Sequence, residues 1–123
     1  MSDGTESYRR FADGFNLTAD MMRWFMHCYL NSDEEKTDPT AAPLRAKDLS
    51  DVTPALMIIA SHGPLLDDSI MYGEKLRAAG VPVTHSDYAG QIHGFWNFTA
   101  CIDAASEARA EACAALRDAF GTA

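Results

Sequence analysis

The sequence predicts an α/β domain, and three features of its 123 residues support this fold class. The run Ala55–Ala60 is apolar at every position, as in a strand that is covered on both faces of a parallel sheet. A second run, Val83–Tyr88, has the two-residue alternation of a strand. Helical patterns lie between these runs and after them, and the order strand, helix, strand, helix is typical of α/β folds.

The composition restricts the classes of partner. The chain has the length of one small domain, and 47% of its residues are hydrophobic, as in an ordinary globular protein. Its formal net charge of −8 disfavours nucleic acid and anionic membrane surfaces as partners. The sequence contains no apolar run of about 18 residues, so no membrane span is expected. The acidic N-terminus does not resemble a signal peptide, and we expect a cytoplasmic protein.

The cysteines predict a reduced protein without a metal centre. Cys28, Cys101 and Cys113 form no CxxC pair, and we interpret them as buried or half-buried free thiols. Such thiols are typical of a reducing compartment. No group of Cys and His has the spacing of metal ligands, so neither a metal nor a cofactor is expected.

Residues 17–123 are expected to form the main unit, preceded by a polar, glycine-spaced surface segment at residues 1–16. Thr18 is the expected N-cap of the first helix of this unit. A stripe of large apolar side chains at helical spacing follows the cap. It consists of Met21, Met22, Trp24, Phe25, Cys28 and Tyr29. Core packing is the simpler interpretation of this stripe. The functional alternative is the wall of an acyl or ligand pocket, because methionine and tryptophan shape such pockets well.

Local signals also define two later helices. Asp67 or Asp68 is expected to cap a helix after the first strand, and Gly80 is expected to end it. The alanine-rich segment Asp103–Phe120 is expected to form the last helix, with Glu111 among its outward-facing charges.

His93 is the candidate catalytic residue. The second strand stops near Gly90, and a short loop then presents this single histidine before Gly94 and an aromatic cluster. A right-handed crossover makes the two strands parallel neighbours, so their carboxyl ends meet at the edge where open α/β sheets place their sites. An acid from the loop at residues 61–66 would then orient the imidazole, as in a Ser-His-Asp triad.

Five short motifs occur in one order along the chain. They are Pro43–Ala46, Pro54–Ala60, Pro64–Asp68, Leu76–Pro82 and Gly90–Phe95. Together they resemble the C-terminal part of the hormone-sensitive-lipase family of α/β-hydrolase esterases, over about residues 7–120. The resemblance implies an incomplete α/β-hydrolase fold with two or more parallel strands, and a reaction on small carboxylic esters. It implies that His93 is the base, and that Met21, Met22, Phe25, Phe95 and Trp96 line the substrate pocket.

Two departures from the family pattern affect the catalytic residues. The family's nucleophile elbow, G-x-S-x-G, and its oxyanion loop lie upstream of this region, and neither occurs in this sequence. The family's Asp-Pro-Leu is replaced by Gly63-Pro64-Leu65, so the position of the acid is a glycine, which cannot orient an imidazole. Asp67 is a weak substitute candidate, since helix capping and the helix dipole account for it more simply. His62 is expected to be a loop residue rather than a second base.

Three interpretations therefore stay open. The chain is the C-terminal portion of an esterase that carries only the base, a non-catalytic module that binds a small ester or apolar ligand, or one half of a split esterase. In the last case the upstream hydrolase half is a separate partner. The unpaired edges of a two-stranded sheet also predict self-association into a homo-oligomer.

Overall fold

A computed structural model describes residues 4–122 of the chain. The helices and strands of this part are α1 (Glu6–Arg10), α2 (Ala19–Tyr29), β1 (Ala55–His62), α3 (Leu66–Ala78), β2 (Val83–Ile92) and α4 (Asp103–Phe120). Short 3-10 helices lie at Glu34–Thr37, Pro43–Arg45 and Phe95–Asn97. None of the helices within residues 4–122 has the length and apolar character needed to cross a membrane.

The α/β class with a parallel, incomplete sheet is confirmed. β1 and β2 pair in parallel, from Ala55 opposite Val83 to His62 opposite Ile92. Both strands run further than the sequence predicted, because the pairing resumes after an irregularity between Ala60 and His62. The Ser61 hydroxyl stabilises this irregularity, since it accepts a hydrogen bond from the Gly90 N–H at 2.8 Å.

The prediction that β1 is covered on both faces is wrong for the described part of the chain. Ile59 is buried, whereas the other residues of β1 are only partly buried. The reason is that β1 has β2 as its single strand neighbour within residues 4–122. An apolar strand of this kind needs more covering surface than these residues supply.

The first helix packs against α3, and the N-terminal segment contributes buried aromatic side chains as well as polar ones. Tyr8 and Phe11 are only 6% and 4% exposed. The Thr5 hydroxyl caps α1 by accepting a hydrogen bond from the Tyr8 N–H at 3.3 Å. The Ser7 N–H donates to Asp67 Oδ2 at 2.8 Å, and the Asp67 N–H donates to Ser7 Oγ at 3.1 Å. The polar composition of the segment concealed these two anchoring aromatic residues.

The helix caps are partly as predicted. Thr18 is the N-cap of α2, and its hydroxyl accepts a hydrogen bond from the Met21 N–H at 3.1 Å. The prediction that Asp67 or Asp68 caps α3 is wrong, because Leu65 occupies the cap position without a side-chain hydrogen bond. Both aspartates lie in the first turn instead, where negative charge is favourable to the helix dipole.

α4 has its predicted bounds, but one side chain faces the other way. Glu111 points at β2 rather than outward: it accepts hydrogen bonds from the Ser86 hydroxyl and, at 2.8 Å, from the Tyr88 hydroxyl. Ala105 and Ala108 are fully buried against Phe95, so the first half of α4 is fixed to the sheet. The outward-facing prediction failed because two hydroxyls on β2 provide donors for the carboxylate.

The cysteine prediction is also wrong about burial. Cys28, Cys101 and Cys113 are free thiols, and all three are exposed. Two of them lie on outward faces of α2 and α4, where helical spacing alone does not distinguish a core position from a surface one.

Candidate active site

The carboxyl ends of β1 and β2 bring two loops together, as the parallel pairing predicts. The His93 N–H donates a hydrogen bond to the His62 carbonyl at 3.3 Å. A Cβ atom placed on Gly63 would lie 3.1 Å from the Cβ of His93 and 3.5 Å from its backbone nitrogen. Gly63 and His93 are therefore direct neighbours at one edge of the sheet.

Gly63 supplies no carboxylate to this neighbour. A side chain at position 63 would start in contact with His93, but its Cβ would be slightly too close, so His93 would have to shift by a few tenths of an ångström. Asp67, the substitute candidate, has its Oδ2 atom hydrogen-bonded to the backbone of Ser7. That oxygen is used to hold α1 on α3.

His93 is exposed at the loop, yet nearby protein atoms remove part of the hydration of its ring. This partial desolvation lowers the pKa of His93 from its ordinary value. A carboxylate beside the ring would have the opposite effect, because it favours the charged imidazolium. A lowered pKa keeps the imidazole neutral at neutral pH, which is the form that accepts a proton.

His62 is not a free loop residue, because it is the last residue of β1 and two aromatic rings of the N-terminal segment pack against its ring. The ring centroid of Phe11 lies 5.3 Å from that of His62. The ring of Phe15 stacks on His62 with a centroid distance of 5.9 Å and an interplanar angle of 27°. Since the His62 carbonyl accepts the His93 N–H, these contacts also support the loop that carries His93.

Asn16 is a residue of the site that the sequence interpretation missed. Its side-chain amide donates a hydrogen bond to the His93 carbonyl at 2.9 Å, across 77 residues of sequence. The signal available in the sequence was the turn composition of Gly14-Phe15-Asn16, since asparagine tolerates a positive φ. Such a signal predicts a turn but does not reveal what the turn touches.

The five predicted pocket residues lie in three different surroundings. Met21 and Phe25 are 41% and 44% exposed on α2. Met22, one position along, is buried in a core cluster with Tyr8, Leu17 and Ala19.

Phe95 is buried in a separate cluster under α4, and Trp96 packs against it. Arg109 covers Trp96, with its guanidinium carbon 5.8 Å from the ring centroid. Phe95 follows His93 by two residues, and its burial therefore anchors the far end of the loop that carries His93. Within residues 4–122, no three His, Cys, Asp or Glu side chains group as metal ligands would.

Comparison with known proteins gives one consistent result. A family profile described as the alpha/beta hydrolase fold matches residues 1–97. The carboxylic ester hydrolase LipN of Mycobacterium tuberculosis is 40% identical over 76% of this chain and 25% of its own length. Carboxylesterase NlhH of the same organism is 38% identical over 93% of this chain and 37% of its own length. The chain thus spans well under half the length of these curated relatives.

Solved structures give the same picture. The metagenomic carboxylesterase EstE1 is 36% identical and superimposes with a TM-score of 0.88, over 93% of this chain and 39% of EstE1. An esterase from Pyrobaculum calidifontis is 34% identical, with a TM-score of 0.88, over 97% of this chain and 39% of that protein.

Proposed function

Because this chain belongs to the α/β-hydrolase fold family, we propose that it forms the C-terminal portion of a carboxylic ester hydrolase with His93 as its general base. The observation that carries the proposal is the direct contact of the His93 loop with Gly63 at the carboxyl ends of two parallel strands. The similarity to proteins that are named ester hydrolases supports it. Membership in the hormone-sensitive-lipase branch, suggested by the five motifs, is part of the same proposal.

In the proposed reaction, an upstream part of the fold supplies a serine. The neutral imidazole of His93 takes the serine proton while the serine oxygen attacks the ester carbonyl. The imidazolium then returns the proton to the alkoxide that leaves, and an acyl-serine is formed. Water hydrolyses this intermediate with His93 acting once more as base. The substrates are small acyl esters, and Met21 and Phe25 on α2 contribute to the wall of the acyl pocket.

Gly63 limits this reaction. In a serine-protease triad, loss of the orienting acid costs about 10⁴-fold in turnover. We expect a similar penalty here, since glycine neither fixes the tautomer of His93 nor stabilises its charged form. The engagement of Asp67 with Ser7 supports position 63, rather than Asp67, as the place where an acid would act.

The test is to restore the acid. The chain is joined to the upstream half of a family esterase that carries the serine elbow, and hydrolysis of short activated esters is measured. Gly63→Asp is expected to raise turnover by orders of magnitude, whereas Gly63→Asn, which has the same size without the charge, is expected to give little gain. If Gly63→Asp changes nothing and Asp67→Asn abolishes activity, Asp67 is the acid and the assignment is wrong.

A second candidate function is a non-catalytic module for a small ester or apolar ligand. The missing carboxylate at Gly63 and the exposed apolar side chains of α2 favour it. Two results together would select this alternative. The chain would bind a non-hydrolysable ester analogue, and the joined protein would be inactive both with and without Gly63→Asp. A split enzyme is distinguished by activity that appears only when a separate upstream chain is added.

A further inference from the structure

We propose that Asn16 is a positioning residue that fixes the loop bearing the catalytic base, an inference that rests on the proposed role of His93. Both main-chain polar groups of His93 are held from outside its own loop. The His93 N–H is bonded to the His62 carbonyl at 3.3 Å, and the His93 carbonyl accepts the Asn16 amide at 2.9 Å. One anchor comes from β1 and the other from the segment before α2.

Asn16 has an unusual backbone conformation. Among residues 4–122 it is the one non-glycine residue with a positive φ, at 68°. The Leu17 N–H bonds across it to the Phe15 carbonyl at 2.9 Å. This bond and this φ are those of the rare γ-turn with a positive central φ, a strained conformation. Backbone strain of this kind persists where the surroundings over-determine it, and it concentrates at functional sites.

The flanking residues hold the turn in place. Leu17 is buried in the first core cluster, and Phe15 stacks on the ring of His62. The backbone of Asn16, which lies between these two packed residues, is therefore held beside the His93 loop.

The opposite side of the contact is shaped to receive the amide. Gly94 has a φ of +84°, and a Cβ at this position would lie 3.2 Å from Asn16 Nδ2. Glycine thus provides both the turn after His93 and the space in which the amide approaches the His93 carbonyl.

The contact with Asn16 matters because the proposed base, His93, has no acid at position 63 to orient its ring. The basic nitrogen must lie about 2.6–3.2 Å from the atom that carries the proton it removes, and an error of about 1 Å costs roughly 10²-fold in rate. In an ordinary triad, the carboxylate fixes the ring of the histidine. Here Gly63 supplies none, so the position of His93 depends on its main-chain anchors, of which Asn16 is the one made by a side chain.

The test uses Asn16→Gly and Asn16→Asp. Glycine keeps the positive φ and removes the amide, whereas aspartate keeps the size and turn preference but replaces the donor with an acceptor. Asp13→Gly is the matched control, because it adds a glycine to the same loop at an exposed residue. Amide hydrogen exchange of His93 is measured in the 123-residue chain. The values of kcat and KM are measured in the chain joined to an upstream esterase half.

Both Asn16 variants are expected to accelerate exchange at His93 by about 2- to 10-fold over the control. This is the change in the opening equilibrium that the loss of one hydrogen bond produces. They are expected to lower kcat at unchanged KM. The Tm of Asn16→Gly is not expected to fall, because glycine adopts the turn without steric strain. A residue that only shaped the turn would give a different pattern. Asn16→Gly would then leave both exchange at His93 and kcat unchanged, because glycine keeps the positive φ.

The proposal is overturned if the Asn16 variants match Asp13→Gly in exchange at His93, or if exchange accelerates while kcat is unchanged. Failure of the proposed function gives a different result. In that case the unsubstituted joined protein and its Gly63→Asp variant hydrolyse no ester, whatever the exchange rates are.

Discussion

Replacing Gly73 by alanine tests how α3 packs on the sheet, and it is expected to destabilise the fold. A Cβ at Gly73 would lie 2.1 Å from His85 Nε2, 2.8 Å from His85 Cε1 and 3.0 Å from Met57 Sδ. The first two distances are shorter than real contacts, so the ring of His85 or α3 itself must move. The Nε2 atom of His85 is buried and has no hydrogen-bond partner among the described residues, so the ring is already enclosed at this point.

Two effects of opposite sign decide how much Gly73→Ala changes the free energy of unfolding. Alanine in a helix interior is favoured over glycine by about 1 kcal/mol. Overpacking of a filled interior costs about 1–3 kcal/mol, and the 2.1 Å approach suggests a mid-range value of about 2 kcal/mol. The expected net loss is therefore about 1 kcal/mol in the free energy of unfolding. For a chain of this length, that loss corresponds to a fall of about 4 °C in Tm.

The assay is urea denaturation followed by circular dichroism, in a double-mutant cycle with His85→Ala. Removing the imidazole removes the clash, so in that background Gly73→Ala is expected to stabilise the chain by up to about 1 kcal/mol through helix propensity. The change of sign between the two backgrounds is the specific prediction. A stabilising effect of equal size in both backgrounds would refute the packing argument.

Four further predictions follow from charge, catalysis and assembly. Burial and the contact with Glu111 raise the pKa of Tyr88 to about 12. The neutral tyrosine therefore contributes stability that is fully present below its unfolded pKa of about 10 and is lost as pH rises through about 12. Tyr88→Phe should flatten the profile of Tm against pH between these two values. Partial desolvation lowers the pKa of His93, so its NMR titration should have a midpoint below 6.5, and Gly63→Asp should move the midpoint upward while Gly63→Asn does not. The isolated chain should hydrolyse short activated esters no faster than its His93→Ala variant, and a His93-dependent burst of product would contradict this. Because no further strand pairs with either edge of the sheet within residues 4–122, sedimentation at micromolar concentration should show self-association. A monomer with strong amide protection in both strands would contradict this.

Several features of the fold were available from the sequence because their causes act over a few residues. The apolar run at 55–60 and the alternating run at 83–88 predicted two strands, and the crossover rule made them parallel. Thr18 predicted a cap, because a hydroxyl at that position reaches the free N–H groups of the first turn. The alanine-rich segment predicted α4 at its observed bounds.

The candidate site was only partly predictable, because sequence signals act over a few residues and some of its contacts span much longer distances along the chain. His93 and Gly63 follow the two strands directly, so strand pairing alone brings them together. Asn16 reaches His93 from 77 residues away, and nothing in the local pattern of either residue indicates the partner.

The tertiary structure decided which face of each element is covered. Glu111 turned inward because two hydroxyls on β2 offered hydrogen bonds, and Tyr8 became buried because it packs on the start of α2. Met21 stayed exposed while Met22 entered the core, although both belong to the same apolar stripe. Helical periodicity and capping are properties of neighbouring residues, and the sequence by itself determined them. Burial and long-range hydrogen bonds depend on which surfaces meet, and that is decided only when the whole chain packs.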